Sequence, residues 1–115
     1  MAKFTGGQIA ANAERAYRYA RVIKGRWPEG EAAIAANAEW AYLYAKDVIK
    51  ERFPEGEAAI AADAEWAYYY AKDVIKERFP EGEAAITGMW AFKYCNYFSI
   101  DKTMFREMQE KTGRN

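Results

Sequence analysis

The stretch Ala64-Glu-Trp-Ala-Tyr-Tyr-Tyr-Ala-Lys-Asp-Val-Ile-Lys-Glu-Arg-Phe-Pro-Glu-Gly-Glu-Ala-Ala-Ile86 decides the fold, because the chain repeats it. A nearly identical copy runs from Ala38 to Ile60, a more divergent copy runs from Ala13 to Ile34, and a truncated copy begins at Trp90. The prolines of the copies lie 26 residues apart, at Pro28, Pro54 and Pro80. A fixed period of this size predicts supersecondary units that stack on one another.

Each unit divides into a short helix and a long helix. Pro54 suits the first turn of the short helix, where its missing N–H costs no hydrogen bond. Asp63 is expected to cap the long helix, which the pattern extends through Phe79, and Asn12 and Asn37 take the same place in the earlier copies. An apolar stripe at helical spacing is expected to pack against neighbouring helices. It includes Ala67, Tyr68, Ala71, Val74 and Ile75.

We therefore predict an all-α fold of tandem ~26-residue helical hairpins, stacked as a small α-solenoid or compact bundle with a C-terminal capping helix. The chain forms a single domain over residues 1–115. Its units span roughly residues 5–27, 28–53, 54–79 and 80–98, and the cap spans 99–113. We call these the first to fourth units.

The copies differ in length at two places. The first unit has Arg21 where the later units have Lys-Asp, so it is one residue shorter. This predicts a bulge, a tighter turn or an earlier helix end near Gly25, because glycine makes such an end easier. The fourth unit is two residues shorter between Ile86 and Trp90.

The composition excludes several kinds of chemistry. The 17 basic and 17 acidic residues balance, which argues against a nucleic-acid or membrane-surface binder. There is no histidine, and hence no histidine-based nucleophile or zinc site. The single Cys95 is expected to be a small buried hydrophobe. No apolar run reaches the ~20 residues of a membrane span. We expect a cytoplasmic protein with no cofactor, no metal site and no enzymatic activity.

The main candidate site is a ridge of side chains across the units. Trp66 lies three residues before Tyr69, so the two share a helix face, and equivalent positions align if the units stack. The ridge consists of Arg15, Arg18, Trp40, Leu43, Trp66, Tyr69, Trp90 and Lys93. Trp, Tyr and Arg dominate the hot spots of protein interfaces. The alternative is that each Trp packs beneath a neighbouring short helix, beside an isoleucine such as Ile60.

Two other repeated features have a structural and a functional interpretation. The Pro-Glu-Gly-Glu segments at 28–31, 54–57 and 80–83 offer carboxylates for a metal or as phosphate mimics, or they favour helix N-termini. A row along one edge does not converge on a cation, which favours the second interpretation. The repeated arginines are suited to stacking on bases, but pairing with a nearby Glu is favoured. They are Arg26, Arg52 and Arg78, and the glutamates considered are Glu29 and Glu55.

The segment Tyr44-Ala-Lys-Asp-Val-Ile-Lys-Glu-Arg-Phe-Pro-Glu-Gly-Glu57 and its variant from Ile23 to Glu31 resemble a known tandem repeat. Repeats of this YAKDVIKGRWPEGE type occur in bacteriophage and large-virus proteins of unknown function. The resemblance covers roughly residues 11–86. It implies a phage-like origin and no active site. A designed or consensus array is the alternative origin.

The expected function is a non-enzymatic protein-binding module. The viral resemblance implies a phage accessory protein that binds a host protein, and inhibition of a bacterial defence protein is its most concrete form. The alternative is a structural or self-assembling repeat protein, because near-identical repeats offer head-to-tail contacts between copies.

Overall fold

A computed structural model describes residues 4–112 of the chain. These residues form eight α-helices and no strand, which confirms the all-α prediction. The helices are α1 (Gly6–Ala10), α2 (Ala13–Ile23), α3 (Pro28–Ala35), α4 (Ala38–Tyr44), α5 (Glu57–Ala61), α6 (Ala64–Tyr70), α7 (Gly88–Phe98) and α8 (Lys102–Thr112). The molecule is elongated, with extents of 54 × 26 × 23 Å. No helix in this part of the chain is long and apolar enough to cross a membrane.

The long helices begin at the predicted caps. The side chain of Asp63 accepts a hydrogen bond from the backbone N–H of Trp66 at 3.1 Å, and Asn12 and Asn37 do the same at the start of α2 and α4. Each bond satisfies one of the N–H groups that a helix start leaves without a partner. The helix starts therefore follow from local sequence.

The long helices end earlier than predicted. The third unit leaves helical geometry at Lys76, whose φ is 65°, so the prediction that this helix runs to Phe79 is wrong. Residues Lys24, Lys50 and Ser99 take the same left-handed conformation in the other units. This turn directs the chain back toward the core, where Phe79 is fully buried.

The extra residue of the second and third units forms a wide helical turn. Helix α4 continues as a π-helix over Ala45–Ile49, and α6 continues in the same way over Ala71–Ile75. The N–H of Lys50 bonds to the carbonyl of Ala45, five residues back, at 2.7 Å. The first unit stays α-helical and ends at Ile23. The shorter copy thus shows the earlier helix end, and the bulge lies in the longer copies.

The core runs along the whole stack. Ala67, Tyr68 and Ala71 are buried as predicted, whereas Val74 and Ile75 are only half-buried. The largest fully buried side chains come from equivalent positions of successive units. They are Tyr44, Tyr70, Tyr94, Phe53, Phe79, Ile34, Ile60 and Ile86. Tyr70 is one of them, so the core is wider than the stripe that contains Ala67 and Ala71.

The last helix covers the C-terminal end of the core. The side-chain amide of Gln109 donates to the carbonyls of Glu83 and Ile86, at 2.8 and 2.6 Å. The ring of Phe105 packs on Tyr94 with centroids 5.5 Å apart. Helix α8 therefore has the position and the apolar contact that a capping helix requires.

Candidate interaction surface

The tryptophans of the ridge pack on tyrosines of the preceding unit. Trp66 lies against Tyr42 with ring centroids 5.4 Å apart. The pairs Trp40–Tyr17 and Trp90–Tyr68 repeat this contact at 5.4 and 5.9 Å. Each pair joins one long helix to the long helix before it, so the ring contacts hold neighbouring units together.

Tyr69 connects the Trp66–Tyr42 and Trp90–Tyr68 pairs into one surface. Its ring centroid lies 5.9 Å from that of Trp66 and 5.6 Å from that of Trp90. It also lies 6.1 Å from Tyr42 in the second unit. These spacings fall in the range of favourable aromatic pairs. The rings of the second, third and fourth units therefore form one connected cluster.

The ridge is half-exposed at its centre and cationic at both ends. Trp40, Leu43, Trp66, Tyr69 and Trp90 are each partly buried and partly open to solvent. At the fourth unit, the ammonium of Lys93 lies 4.9 Å above the ring of Trp90. At the first unit, Arg15 stacks on the Phe4 ring at 3.6 Å, and Arg18 pairs with Glu14 at 2.9 Å. The eight residues thus combine aromatic and cationic side chains, and the ring and cation–π contacts join four of them, Trp66, Tyr69, Trp90 and Lys93.

Tyrosines under the ridge are fixed by aspartates of the wide turns. The Tyr17 hydroxyl donates to Asp47 at 2.7 Å, and the Tyr42 hydroxyl donates to Asp73 at 2.5 Å. Burial and the hydrogen bond to Asp47 raise the pKa of Tyr17, so it stays a neutral donor. Sequence reasoning missed these bonds. The sequence does carry a signal for them: both copies that have the extra residue have an Asp in the Lys-Asp pair that adds it.

A second repeated arrangement lies where the units join. In each junction, an arginine and a buried tyrosine hold one glutamate, and we call these sets the junction triads. They are Arg26–Glu31–Tyr44, Arg52–Glu57–Tyr70 and Arg78–Glu83–Tyr94. The pairing of arginine with glutamate is as predicted, but the partner is the second glutamate of each Pro-Glu-Gly-Glu segment. The first one, which sequence reasoning named, is solvent-exposed.

The middle triad shows the geometry. Arg52 binds Glu57 through two parallel hydrogen bonds of 2.8 and 2.9 Å. The Tyr70 hydroxyl donates to Glu57 at 2.7 Å and accepts from the backbone N–H of Phe53 at 2.7 Å. The half-buried Glu57 carboxylate is thus held by the exposed Arg52 and the buried Tyr70, and paired bonds between a guanidinium and a carboxylate are strong.

The triads also shift the ionisation of their members. The hydrogen bond from Arg52 is the main cause that lowers the pKa of Glu57, and the Tyr70 bond adds to it. Burial and the bond to Glu31 raise the pKa of Tyr44 to about 12. Glu57 is therefore charged and Tyr44 neutral at physiological pH. Because the arginines are bound to carboxylates, we assign the triads to holding the units together.

Two other features of the described residues concern metal binding and thiol chemistry. Within residues 4–112, no group of three or more His, Cys, Asp or Glu side chains is placed to hold a metal ion. Cys95 is buried, as expected from its type, and burial raises the pKa of its thiol. A raised pKa keeps the thiol protonated and unreactive.

Comparison with known proteins adds no family or relative. No protein-family model, curated protein or solved structure matches this chain. The resemblance to viral repeats therefore stays a prediction. The functional argument rests on the side chains of the chain itself.

Proposed function

We propose that the protein is a non-enzymatic binding module and that the ridge is the surface that contacts a protein partner. The observation that carries this proposal is the connected, half-exposed cluster of Trp66, Tyr69 and Trp90, with the half-exposed Trp40 in the second unit. Exposed aromatic surface of this extent is typical of interaction sites.

The packing beneath the ridge prepares it for binding. Trp and Tyr combine a large apolar body with a polar group and have only two rotatable side-chain bonds. Here their rings rest on tyrosines that Asp47 and Asp73 hold in place. Side chains that are ordered before contact lose less entropy on binding. The cationic ends, Arg18 and Lys93, suit carboxylates at the margin of the partner's surface.

The viral resemblance extends this proposal to the identity of the partner. It makes the partner a protein of the host cell, and a defence protein that binding inhibits by occlusion is the most concrete form. An open-ended array of copies is a less favoured function. Helix α8 covers Glu83 and Ile86, at the end where a further unit would have to stack.

The test uses substitutions that the repeats themselves tolerate. The positions of Leu43 and Tyr69 are occupied by Arg18 in the first unit and Lys93 in the fourth. The double variant Leu43→Arg with Tyr69→Arg should therefore fold while losing the aromatic centre of the ridge. We expect it to lose the proteins that wild-type protein captures from bacterial lysate, as measured by quantitative mass spectrometry.

The matched control carries the same added charge in the same two units. Ala32 and Ala58 are exposed on the short helices α3 and α5, and their replacement by Arg should leave capture unchanged. Circular dichroism establishes that both variants are folded. If the ridge variant captures the same proteins as wild type, the ridge is not the binding surface.

A further inference from the structure

The charge of the chain is balanced overall but strongly separated along its length. Residues 4–27 contain five Lys or Arg and one Glu, a net charge of +4. Residues 54–101 contain four Lys or Arg and nine Asp or Glu, a net charge of −5. Residues 28–53 between them carry −2. One end of the elongated molecule is thus basic, and its third and fourth units are acidic.

The basic end also exposes apolar side chains whose equivalents in the later units are buried or half-buried. Val22 is 76% exposed, and its equivalents Val48 and Val74 are half-buried. Tyr19 is 39% exposed, whereas its equivalents in the junction triads are fully buried. In the described chain α2 is preceded only by the five-residue α1. These apolar side chains of α2 are therefore exposed to solvent at the basic end.

We propose that this basic, apolar end docks on the acidic third and fourth units of a second copy, in an antiparallel two-fold dimer. A two-fold axis makes the same contact twice. In each of the two contacts, residues 4–27 of one copy, with a net charge of +4, would face residues 54–101 of the other copy, with −5. The second units of the two copies would lie near the axis. A second copy is the occupant because the charge of its third and fourth units, −5, nearly cancels the +4 of the basic end.

The shape of the molecule favours a side-by-side contact over an end-to-end one. A stable interface buries roughly 800 Å² on each partner. The cross-section of 26 by 23 Å offers about 600 Å², whereas the long side of 54 by 26 Å offers about 1,400 Å². The C-terminal end is in addition covered by α8. The charge distribution and the shape therefore favour the same closed arrangement, and this proposal does not depend on the ridge.

Sedimentation equilibrium against salt is the first test. We expect wild-type protein to be a dimer at low ionic strength and to dissociate progressively as NaCl rises from ~0.02 to ~0.5 M, because screening shortens the reach of exposed charges. A protein that stays monomeric at high concentration in low salt overturns the proposal. So does a dimer that salt leaves unchanged, or an assembly larger than a dimer.

Complementary charge reversal is the second test. Arg21→Glu with Lys24→Glu lowers the net charge of residues 4–27 from +4 to 0, and Glu77→Lys with Glu81→Lys, also at exposed positions, raises that of residues 54–101 from −5 to −1. Each double variant alone should dimerise about 10-fold more weakly or worse, since both contacts of the dimer then lose most of their attraction. An equimolar mixture should form a heterodimer, because one of its two contacts again joins +4 to −5.

The matched control changes the net charge by the same amount elsewhere. Arg106→Glu with Lys111→Glu lies on exposed positions of α8, outside the charged segments 4–27 and 54–101, and should leave dimerisation within about twofold of wild type. If this control weakens the dimer as much as the basic-end variant, net charge and not docking explains the effect. A mixture that stays monomeric likewise overturns the proposed pairing.

Discussion

The hydroxyl of Tyr17 donates a 2.7 Å hydrogen bond to Asp47, and Asp47 belongs to the Lys-Asp pair that makes the second unit one residue longer than the first. Tyr42 and Asp73 repeat the relationship between the second and third units. The first and fourth units lack both this Asp and the wide helical turn. Each π-helical turn, a rare element in helices, thus supplies a charged acceptor that bonds to the preceding unit.

Deletion of Asp47 should therefore give a folded but less stable protein. We expect the second unit to adopt the regular helix end of the first unit, as Arg21 does in place of Lys-Asp. Loss of the bond to Tyr17 should lower the free energy of unfolding by about 1–3 kcal/mol. Urea denaturation followed by circular dichroism measures the change.

Two controls separate the bond from the turn. Asp47→Ala removes the acceptor and keeps the chain length, whereas Asp47→Asn keeps both an acceptor and the length. We expect Asn to cost less than Ala, because it still accepts a hydrogen bond from Tyr17. A deletion variant that unfolds at the wild-type urea concentration would show that neither the turn nor the bond stabilises the fold.

Gly56 should not tolerate even a methyl group. A Cβ at this position would lie 2.7 Å from Cδ2 of Phe53 and 2.8 Å from Cβ of Ala41, and both neighbours are fully buried. Gly56→Ala should lower the free energy of unfolding by about 1–3 kcal/mol, as overpacking of a core does. Urea denaturation again measures it.

Gly25 provides the matched control for Gly56. No atom lies within 4 Å of a Cβ built there. Gly25→Ala should therefore be neutral, or stabilising by up to about 1 kcal/mol, because it restricts the unfolded chain. Equal effects of the two substitutions would mean that the close packing around Gly56 contributes nothing.

The junction triads should make stability fall in acid. The hydrogen bond from Arg52 holds the pKa of Glu57 below the 4.5 of an unfolded chain. A carboxylate with a lowered pKa stabilises the folded state fully above the unfolded value, and this stabilisation is lost as the pH falls through the folded value. The free energy of unfolding should therefore drop from about pH 5 downward.

Glu57→Gln tests this assignment. The variant should be less stable than wild type at pH 7, and its stability should vary less with pH below about 5. The control is Glu51→Gln, at an exposed position of the same chain, which should keep the wild-type profile. If both variants show the wild-type slope, the acid sensitivity arises outside this triad.

The sequence predicted the features that depend on a few neighbouring residues. The caps at Asn12 and Asp63, the prolines at the junctions and the final helix follow from local hydrogen bonding and periodicity. Each of these features can be recognised from the residues of one unit or by comparing the copies with one another.

What the sequence did not predict depends on contacts between units. Arg52 has glutamates at two nearby positions, and only the buried hydroxyl of Tyr70 selects Glu57 over Glu55. The wide turn at Ala45–Ile49 is likewise tied to a bond with the preceding unit. The packing of Trp66 on Tyr42 is also a contact between units. A helical wheel places residues on a face but does not say which neighbour they meet.

Lys76 offers a way to stabilise the protein. It ends the long helix of the third unit with a φ of 65°, a conformation that costs a residue with a side chain about 1–2 kcal/mol and glycine almost nothing. Glycine is also the residue most often found at this place in helix ends. After the greater freedom of glycine in the unfolded chain is subtracted, Lys76→Gly should raise the free energy of unfolding by about 0.5–1 kcal/mol. The control, Lys72→Gly, lies inside the helical segment and should lower it by about 1 kcal/mol. Thermal and urea unfolding distinguish the two signs, and a destabilised Lys76→Gly would mean that the lysine side chain itself holds the helix end.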